Sequence, residues 1–158
     1  MAYKDSMKVV GEMEKNKVEI LLVEDDSDAA TLASLAFEKN KSIASVKIHC
    51  AKDGVEALEY IFGAKEADGF LLSHHPQLIL LDLKLPKMDG LDVLRKIKKH
   101  PEAKDIPVVV MTGSNDQTDW IESYSLGAEC FLRKSIDFNE FIEAAGWALA
   151  GAIEQKSS

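Results

Sequence analysis

The sequence is poor in cysteine and contains no long apolar run. Only Cys50 and Cys130 occur among its 158 residues, and they do not form a CxxC motif. Apolar stretches such as Leu78–Leu81 are far shorter than the roughly 20 residues that cross a bilayer. The N-terminal segment has no apolar core ahead of a small-residue cleavage site. We therefore expect a cytoplasmic protein without membrane association, in which two buried thiols are favoured over a disulfide.

Positive charge is also scarce. The chain has 19 Lys and Arg residues and 27 Asp and Glu residues, which gives a net charge of −8. Proteins that bind nucleic acid or anionic lipid obtain much of their affinity from clustered Lys and Arg, so this balance argues against both partners. The length and the 46% hydrophobic content are typical of one folded domain. We expect that domain at residues 17–153, between a loosely ordered extension at 1–16 and a tail at 154–158.

Several common catalytic motifs are absent. The chain has no GxxxxGK[ST] loop, no GxSxG or HExxH motif and no Cys/His triad pattern. The turn after the first apolar run reads EDDSD, which would repel the phosphate of a flavin or a dinucleotide unless a metal intervened. His74 and His75 lie in a loop without further metal-ligand spacing, so we interpret them as exposed histidines. These features argue against nucleotide hydrolysis and dinucleotide binding.

Short apolar runs alternate with amphipathic stretches along the chain. Five strand–helix repeats with largely apolar strands predict an α/β fold, namely a doubly wound five-stranded parallel sheet with five helices. The strands are expected at Val18–Val23, Val46–Ala51, Gln77–Leu81, Pro107–Met111 and Cys130–Arg133, and the helices at Ser27–Lys39, Asp53–Phe62, Gly90–Lys99, Asn115–Leu126 and Asp137–Ile153.

Residues that can carry chemistry follow four of the predicted strands. They are Glu24 and Asp25 after the first strand, Asp82 after the third, Thr112 after the fourth and Lys134 after the fifth. Ligands of such sheets bind beyond the carboxyl ends of the strands, so we expect these side chains to meet there. Converging carboxylates repel one another and need a cation or shifted protonation, and carboxylates suit Mg²⁺. A lysine and a hydroxyl suit phosphoryl oxygens, so the set predicts a metal-assisted phosphoryl site with one carboxylate as nucleophile.

Several polar residues at the ends of the predicted strands, taken alone, have a simpler interpretation. An acidic or hydroxyl residue after a strand often caps the next helix, which fits Asp26 or Ser27. Thr112 alone is typical of a turn, and Lys134 alone is typical of a solvated surface. Asp82 differs because it lies between apolar residues at the rim of the core, where an unpartnered charge is costly.

The ordered motifs resemble the receiver domain of two-component response regulators. They are LLVEDDSD at the first strand, AKDGVEAL after the second, ILLDLKLPKMDGLDVLRKIK around the third, VVVMTGS at the fourth and FLRKSID at the fifth. The resemblance covers roughly residues 18–153, and the long loop before the third strand is similar to that of the small phytochrome-associated regulators. It implies the flavodoxin-like (βα)5 fold with strand order 2-1-3-4-5.

The resemblance also implies roles for individual residues. Asp82 corresponds to the phosphoacceptor, and Glu24 and Asp25 correspond to the acidic pair that holds Mg²⁺. Asp82 itself and the backbone carbonyl of Lys84 are the further implied metal ligands. The remaining implied roles are the switch hydroxyl at Thr112, the phosphate-pairing lysine at Lys134 and the aromatic residue that changes rotamer on activation at Phe131.

The partners implied by the resemblance are proteins. A histidine kinase, with phytochrome-type kinases as one candidate, would donate a phosphoryl group from phosphohistidine. Mg²⁺-dependent autodephosphorylation would reset the chain, which makes it a phosphoacceptor signalling domain and not an enzyme with a separate substrate. Because 158 residues leave no room for a DNA-binding domain, we expect the output to be a downstream protein, a phosphotransfer partner or a homodimer. The surface of helix four, strand five and helix five is the candidate for that contact.

One departure from the family and two other functions leave alternatives open. The family usually has a proline after the lysine, whereas Ser135 follows Lys134 in this chain. The peptide bond between Lys134 and Ser135 is then either cis, at a cost of about 2.5–4 kcal/mol relative to trans, or trans, with a different approach of Lys134 to the site. An aspartate-nucleophile phosphatase would have an acid two residues after Asp82, where this chain has Lys84. A receiver-like module that binds partners without phosphorylation is the remaining alternative.

Overall fold

Five parallel strands form the frame of the fold in the computed structural model. The structure describes residues 17–38, 45–63, 72–113 and 117–133, together with residues 140, 143, 144, 146–148 and 150. The strands are β1 (Lys17–Val23), β2 (Ser45–Ala51), β3 (Leu78–Asp82), β4 (Val108–Thr112) and β5 (Cys130–Arg133). Their order across the sheet is β2-β1-β3-β4-β5, and every neighbouring pair is parallel. The predicted doubly wound order is confirmed.

Helices connect successive strands. Those with defined bounds are α1 (Ser27–Glu38), α2 (Gly54–Phe62), α3 (Gly90–Lys99) and α4 (Gln117–Leu126). The described positions between residues 140 and 150 are also helical, which agrees with the fifth predicted helix. Within the described ranges, no helix combines the length and the apolar character needed to span a membrane.

Aspartate side chains cap the first turns of helices. Oδ1 of Asp53 accepts a hydrogen bond from the Glu56 N–H at 2.9 Å, and Oδ1 of Asp26 accepts one from the Asp28 N–H at 2.9 Å. Asp89 caps α3 in the same way. These bonds satisfy N–H groups that have no partner inside the helix. For Asp26, the simpler interpretation as a helix cap is therefore confirmed.

The central strands β3 and β4 end one residue later than the sequence pattern predicts. They include Asp82 and Thr112, which we expected just beyond the strands. Asp82 pairs with Met111, and the Leu83 N–H donates to the Met111 carbonyl at 3.3 Å. A polar side chain ends an apolar run in the sequence, but its backbone can still continue the ladder of hydrogen bonds.

The core lies on both faces of the sheet. Every residue of β3 and β4 is buried, as expected for central parallel strands. On one face, Leu58 of α2 and Leu94 of α3 join the core. On the other face, Ala33 and Phe37 of α1 pack with Ala148. The central strands are therefore buried, and their ends and the loops beyond them are the parts available for chemistry.

The two cysteines are free, but the prediction that both are buried is wrong. Cys50 is exposed and Cys130 is partly buried. They lie on β2 and β5, the edge strands of the sheet, which have a neighbouring strand on one side only. Burial raises the pKa of the Cys130 thiol.

A stack of three rings holds the end of the loop before β3. The Tyr60 ring of α2 lies between His49 of β2 and His74, with centroid distances of 4.0 and 4.1 Å. Nδ1 of His74 lies 2.9 Å from the Tyr60 carbonyl oxygen, which can only accept, so Nδ1 carries the hydrogen. His74 and His75 are exposed, as predicted. Burial, together with the nearby His74, lowers the pKa of His49.

Gly90 permits the close approach of α3 to the end of β3. A Cβ at this position would lie 2.5 Å from the Asp82 carbonyl oxygen and 2.5 Å from the Leu83 Cα. Because both atoms belong to the backbone, they cannot rotate away, and we expect Gly90→Ala to lower the free energy of unfolding by about 1–3 kcal/mol. Urea denaturation measures this change. Gly113→Ala is the control, since a Cβ on Gly113 would meet no atom of the described chain within 4 Å. Equal stability of the two variants would contradict the expected clash.

Candidate functional site

Three carboxylates meet at the carboxyl edge of the sheet. Glu24 and Asp25 follow β1, and Asp82 is the last residue of the neighbouring strand β3. One oxygen of each carboxylate lies within 4.8 Å of the other two. Glu24 and Asp82 are 4% and 2% exposed, whereas Asp25 is exposed to solvent. The structure therefore brings together the three acids that the strand-end argument predicts.

This acidic group has the ligand chemistry of a hard divalent cation site. Carboxylate oxygens are the ligands that Mg²⁺ uses, and three acids at this distance repel one another unless a cation or a proton intervenes. Backbone groups orient two of them: the Asp26 N–H donates to Oε1 of Glu24 at 3.2 Å, and the Lys84 N–H donates to Oδ1 of Asp82 at 3.0 Å. The exposed Asp25 leaves one side open to solvent, which suits a cation that keeps water ligands. The donor set thus fits Mg²⁺.

Thr112 lies at the same edge of the sheet. It ends β4 and is fully buried. The register pairs Asp82 with Met111, so Thr112 is one position beyond the partner of Asp82. Thr112 also pairs with Arg133, the last residue of β5. Lys134, predicted for this edge, lies outside the described residues, as does its bond to Ser135.

Aromatic residues form a surface on α4 and β5. The Phe131 ring is 6.2 Å from the Trp120 ring, and the Trp120 ring is 6.2 Å from the Tyr124 ring. Phe131 is partly buried, whereas Trp120, Ile121 and Tyr124 are exposed. We call these four residues the α4–β5 face. Phe131, for which the resemblance implies a switch role, therefore lies next to exposed apolar side chains.

An open pocket of about 450 Å³ is lined mainly by residues that follow Asp82 in the sequence. Its lining comes from the loop between β3 and α3 and from one residue of α4, and consists of Leu83, Lys84, Leu85, Lys87, Met88, Asp89 and Asp119. The Lys84 side chain is exposed, so it faces this open space and not the core. The residues that follow Asp82 therefore line a surface that another molecule can reach.

Two contacts around the acidic group were not anticipated from the sequence. The Glu24 N–H donates to the Ala51 carbonyl at 3.0 Å, which attaches the acidic turn to the end of β2. Nζ of Lys87 lies 3.3 Å from Oδ2 of Asp53, which joins the β3–α3 loop to the start of α2. The sequence pattern places Asp53 at the start of a predicted helix, but no periodic pattern marks a lysine as its partner. The pKa of Asp53 is held below its usual value mainly by the Glu56 N–H, with a smaller contribution from Lys87.

Comparisons with known proteins agree with this geometry. The response regulator receiver domain model matches residues 20–146. Response regulator Rcp1 of Synechocystis sp. is 37% identical over 130 residues, which are 82% of this chain and 86% of Rcp1.

Solved structures of such regulators have the same fold. The Mn²⁺-bound form of Rcp1 has a TM-score of 0.69 at 36% identity and covers 80% of this chain and 88% of its own. The phosphorylated cyanobacterial phytochrome response regulator RcpA has a TM-score of 0.69 at 35% identity, over 81% of this chain and 88% of its own. The chain therefore belongs to the response regulator receiver domain family.

Proposed function

We propose that the chain accepts a phosphoryl group from the phosphohistidine of a histidine kinase on Asp82 and signals through contacts with other proteins. The observation that carries the proposal is the buried Asp82 carboxylate within 4.8 Å of Glu24 and Asp25 in a member of the receiver family. A phytochrome-type kinase is the proposed donor, since RcpA is described as a phytochrome response regulator. The proposed receiver domain spans residues 17–153, and the family match lies inside these bounds.

Mg²⁺ is the proposed cation of the acidic group. The carboxylates of Glu24, Asp25 and Asp82 would hold it together with the backbone carbonyl of Lys84. A bound divalent cation offsets negative charge on the transferring phosphoryl oxygens. The relative Rcp1 has a Mn²⁺-bound form, which supports a divalent cation at this site.

The residues of the chain then have separate roles in the transfer. The Asp82 carboxylate attacks phosphorus, the bond between phosphorus and the kinase imidazole breaks, and an acyl phosphate forms on Asp82. The Lys84 N–H orients the carboxylate through Oδ1. Thr112 and Lys134 are the proposed partners of the phosphoryl oxygens. Attack of water on phosphorus later releases inorganic phosphate and restores the Asp82 carboxylate, so the chain is a phosphoacceptor that resets itself and not an enzyme with a separate substrate.

The α4–β5 face is the proposed output surface. A hydrogen bond from Thr112 to the acyl phosphate would shift an existing conformational equilibrium, with Phe131 as the residue that changes rotamer. The exposed Trp120, Ile121 and Tyr124 would then contact a second copy of the chain, a downstream protein or a phosphotransfer partner. The proposed location is the cytoplasm, where free thiols such as Cys50 persist.

Replacement of the phosphoacceptor tests the covalent step. Asp82→Asn should reduce labelling by acetyl phosphate or phosphoramidate to background in intact-protein mass spectrometry, because the amide is not a competent nucleophile. Asp89→Asn is the matched control, since it changes an aspartate of the same loop to a residue that also caps a helix well. Stoichiometric labelling of the Asp82 variant would rule out the assignment and favour another acceptor. An unlabelled wild-type chain that still binds its partner would favour the module that works without phosphorylation.

Removal of one acid tests the cation site. Asp25→Asn should weaken Mg²⁺ binding by about tenfold or more, because changes in the surroundings of a metal ligand alone often cost 10–100-fold. Isothermal titration calorimetry measures the affinity. Asp26→Asn is the control, since Asp26 is an exposed neighbour that caps α1 and asparagine keeps that role. Equal Mg²⁺ affinities of the wild-type chain and the Asp25 variant would argue against this ligand.

A charge on the α4–β5 face tests the homodimer. Ile121 is 64% exposed, so Ile121→Arg should leave folding intact and abolish association of the phosphorylated chain through this face, because it places a charge in an apolar contact. Sedimentation velocity, with and without acetyl phosphate, measures the association state. Leu32→Arg on α1, at a position that is 55% exposed, is the matched control. A wild-type chain that stays monomeric in both states would exclude the homodimer and leave a different protein as the partner.

A further inference from the structure

Two contacts attach the β3–α3 loop to the start of α2. Nζ of Lys87 lies 3.3 Å from Oδ2 of Asp53. Gly54, the next residue after Asp53, packs against the loop backbone, since a Cβ there would lie 2.9 Å from the Met88 Cβ and 3.2 Å from the Met88 carbonyl oxygen. An ion pair and a close backbone approach therefore fix adjacent loop residues against the same helix turn.

The loop has an unfavourable backbone conformation at Lys87. Its φ of 67° is the one positive φ of a non-glycine residue among the described parts of the chain. This left-handed region is costly for a residue with a Cβ and persists where surrounding contacts determine the conformation. The side chain of Lys87 makes an ion pair with Asp53.

Asp53 is a suitable fixed partner for Lys87. The Asp53 side chain is 7% exposed, whereas that of Lys87 is 68% exposed. Oδ1 of Asp53 accepts the Glu56 N–H at 2.9 Å in the cap of α2, and Oδ2 is the oxygen near Lys87. The Glu56 N–H, with a smaller contribution from Lys87, holds the pKa of Asp53 below its usual value, which itself already lies well below neutral pH, so the carboxylate is ionised. The buried and hydrogen-bonded end of the pair is thus Asp53, and the exposed end is the Lys87 side chain.

The contact is linked to both sides of the acidic group. The β3–α3 loop contains Lys84, whose N–H donates to Oδ1 of Asp82. On the other side, the Glu24 N–H donates to the carbonyl of Ala51, two residues before Asp53. The ion pair therefore completes a series of contacts that joins the turn carrying Glu24 to the loop that follows Asp82.

We propose that Asp53 and Lys87 are positioning residues of the cation site. Their ion pair holds the β3–α3 loop, and with it the backbone of Lys84, at the separation from Glu24 and Asp25 that cation binding requires. Neither side chain is a ligand or a reacting group. The inference rests on the proposed function, because Lys84 matters to the cation only if the acidic group binds one.

The positive charge of Lys87 allows a positioning role to be distinguished from direct repulsion between Lys87 and the metal ion. A cation near a dication site repels the metal, so removal of the Lys87 charge alone should strengthen Mg²⁺ binding. Loss of a positioning contact should weaken it. The sign of the change in affinity therefore separates the two effects.

Mg²⁺ titration calorimetry of the full chain is the primary test. Lys87→Met keeps the aliphatic stem and removes the charge, and Asp53→Asn keeps a good helix cap and removes the charge. We expect each to raise the Mg²⁺ dissociation constant by about three- to tenfold, the double variant to add little to the larger single effect, and Lys87→Arg to stay within about twofold of wild type. Arg95→Met is the matched control, because it removes ion pairs with Asp92 and Glu122 elsewhere on α3 and α4. Its dissociation constant should stay within about twofold of wild type.

A second measurement separates positioning from folding. Thermal unfolding without Mg²⁺ reports stability, and labelling by acetyl phosphate at increasing Mg²⁺ reports the metal requirement. We expect the Mg²⁺ concentration for half-maximal labelling to rise in both charge-removal variants, with the rate at saturating Mg²⁺ within about twofold of wild type. An unchanged or lower dissociation constant in Lys87→Met would overturn the proposal, even if its melting temperature fell. A wild-type chain that binds Mg²⁺ but is not labelled would overturn the phosphoacceptor function and not this inference.

Discussion

Repulsion among the Glu24, Asp25 and Asp82 carboxylates is the constraint on which the site depends. Two of the three are buried, and a buried carboxylate is costly unless hydrogen bonds or an opposite charge compensate it. Backbone N–H groups of Asp26 and Lys84 provide part of that compensation. A divalent cation would add to it, so the same repulsion among the three carboxylates favours metal binding. Conversely, the bound cation would make the site suitable for a negatively charged phosphoryl group.

The fold can tolerate the free-energy cost of the buried carboxylates because the centre of the sheet is buried and apolar. β3 and β4 are buried along their whole length, and Asp82 is itself part of the ladder between them. The loops beyond the strands end at helix caps such as Asp53 and at the close contact of Gly90. Functional groups are therefore held by strand ends and helix starts, which position side chains more accurately than a free loop would.

The path from the proposed phosphorylation site to the proposed output surface is short. Thr112, at the end of β4, pairs with Arg133, and Val110 of the same strand pairs with Phe131. Phe131 is next to the exposed Trp120 of α4. A change at a phosphoryl group on Asp82 would need to pass only from β3 through β4 to β5 to reach an apolar surface, which is consistent with a shift between two existing arrangements of that surface.

The sequence alone determined the alternation of strands and helices, because strands that are buried on both faces are continuous apolar runs. It also determined which acids could meet, since parallel strands end at one edge of the sheet. It did not determine that Asp82 and Thr112 belong to the strands, because side-chain polarity does not report backbone pairing. Only the tertiary structure decided the exposure of Cys50, which follows from the edge position of β2. The pair of Asp53 and Lys87 was also decided there, since two distant loops become neighbours only when the sheet has formed its order.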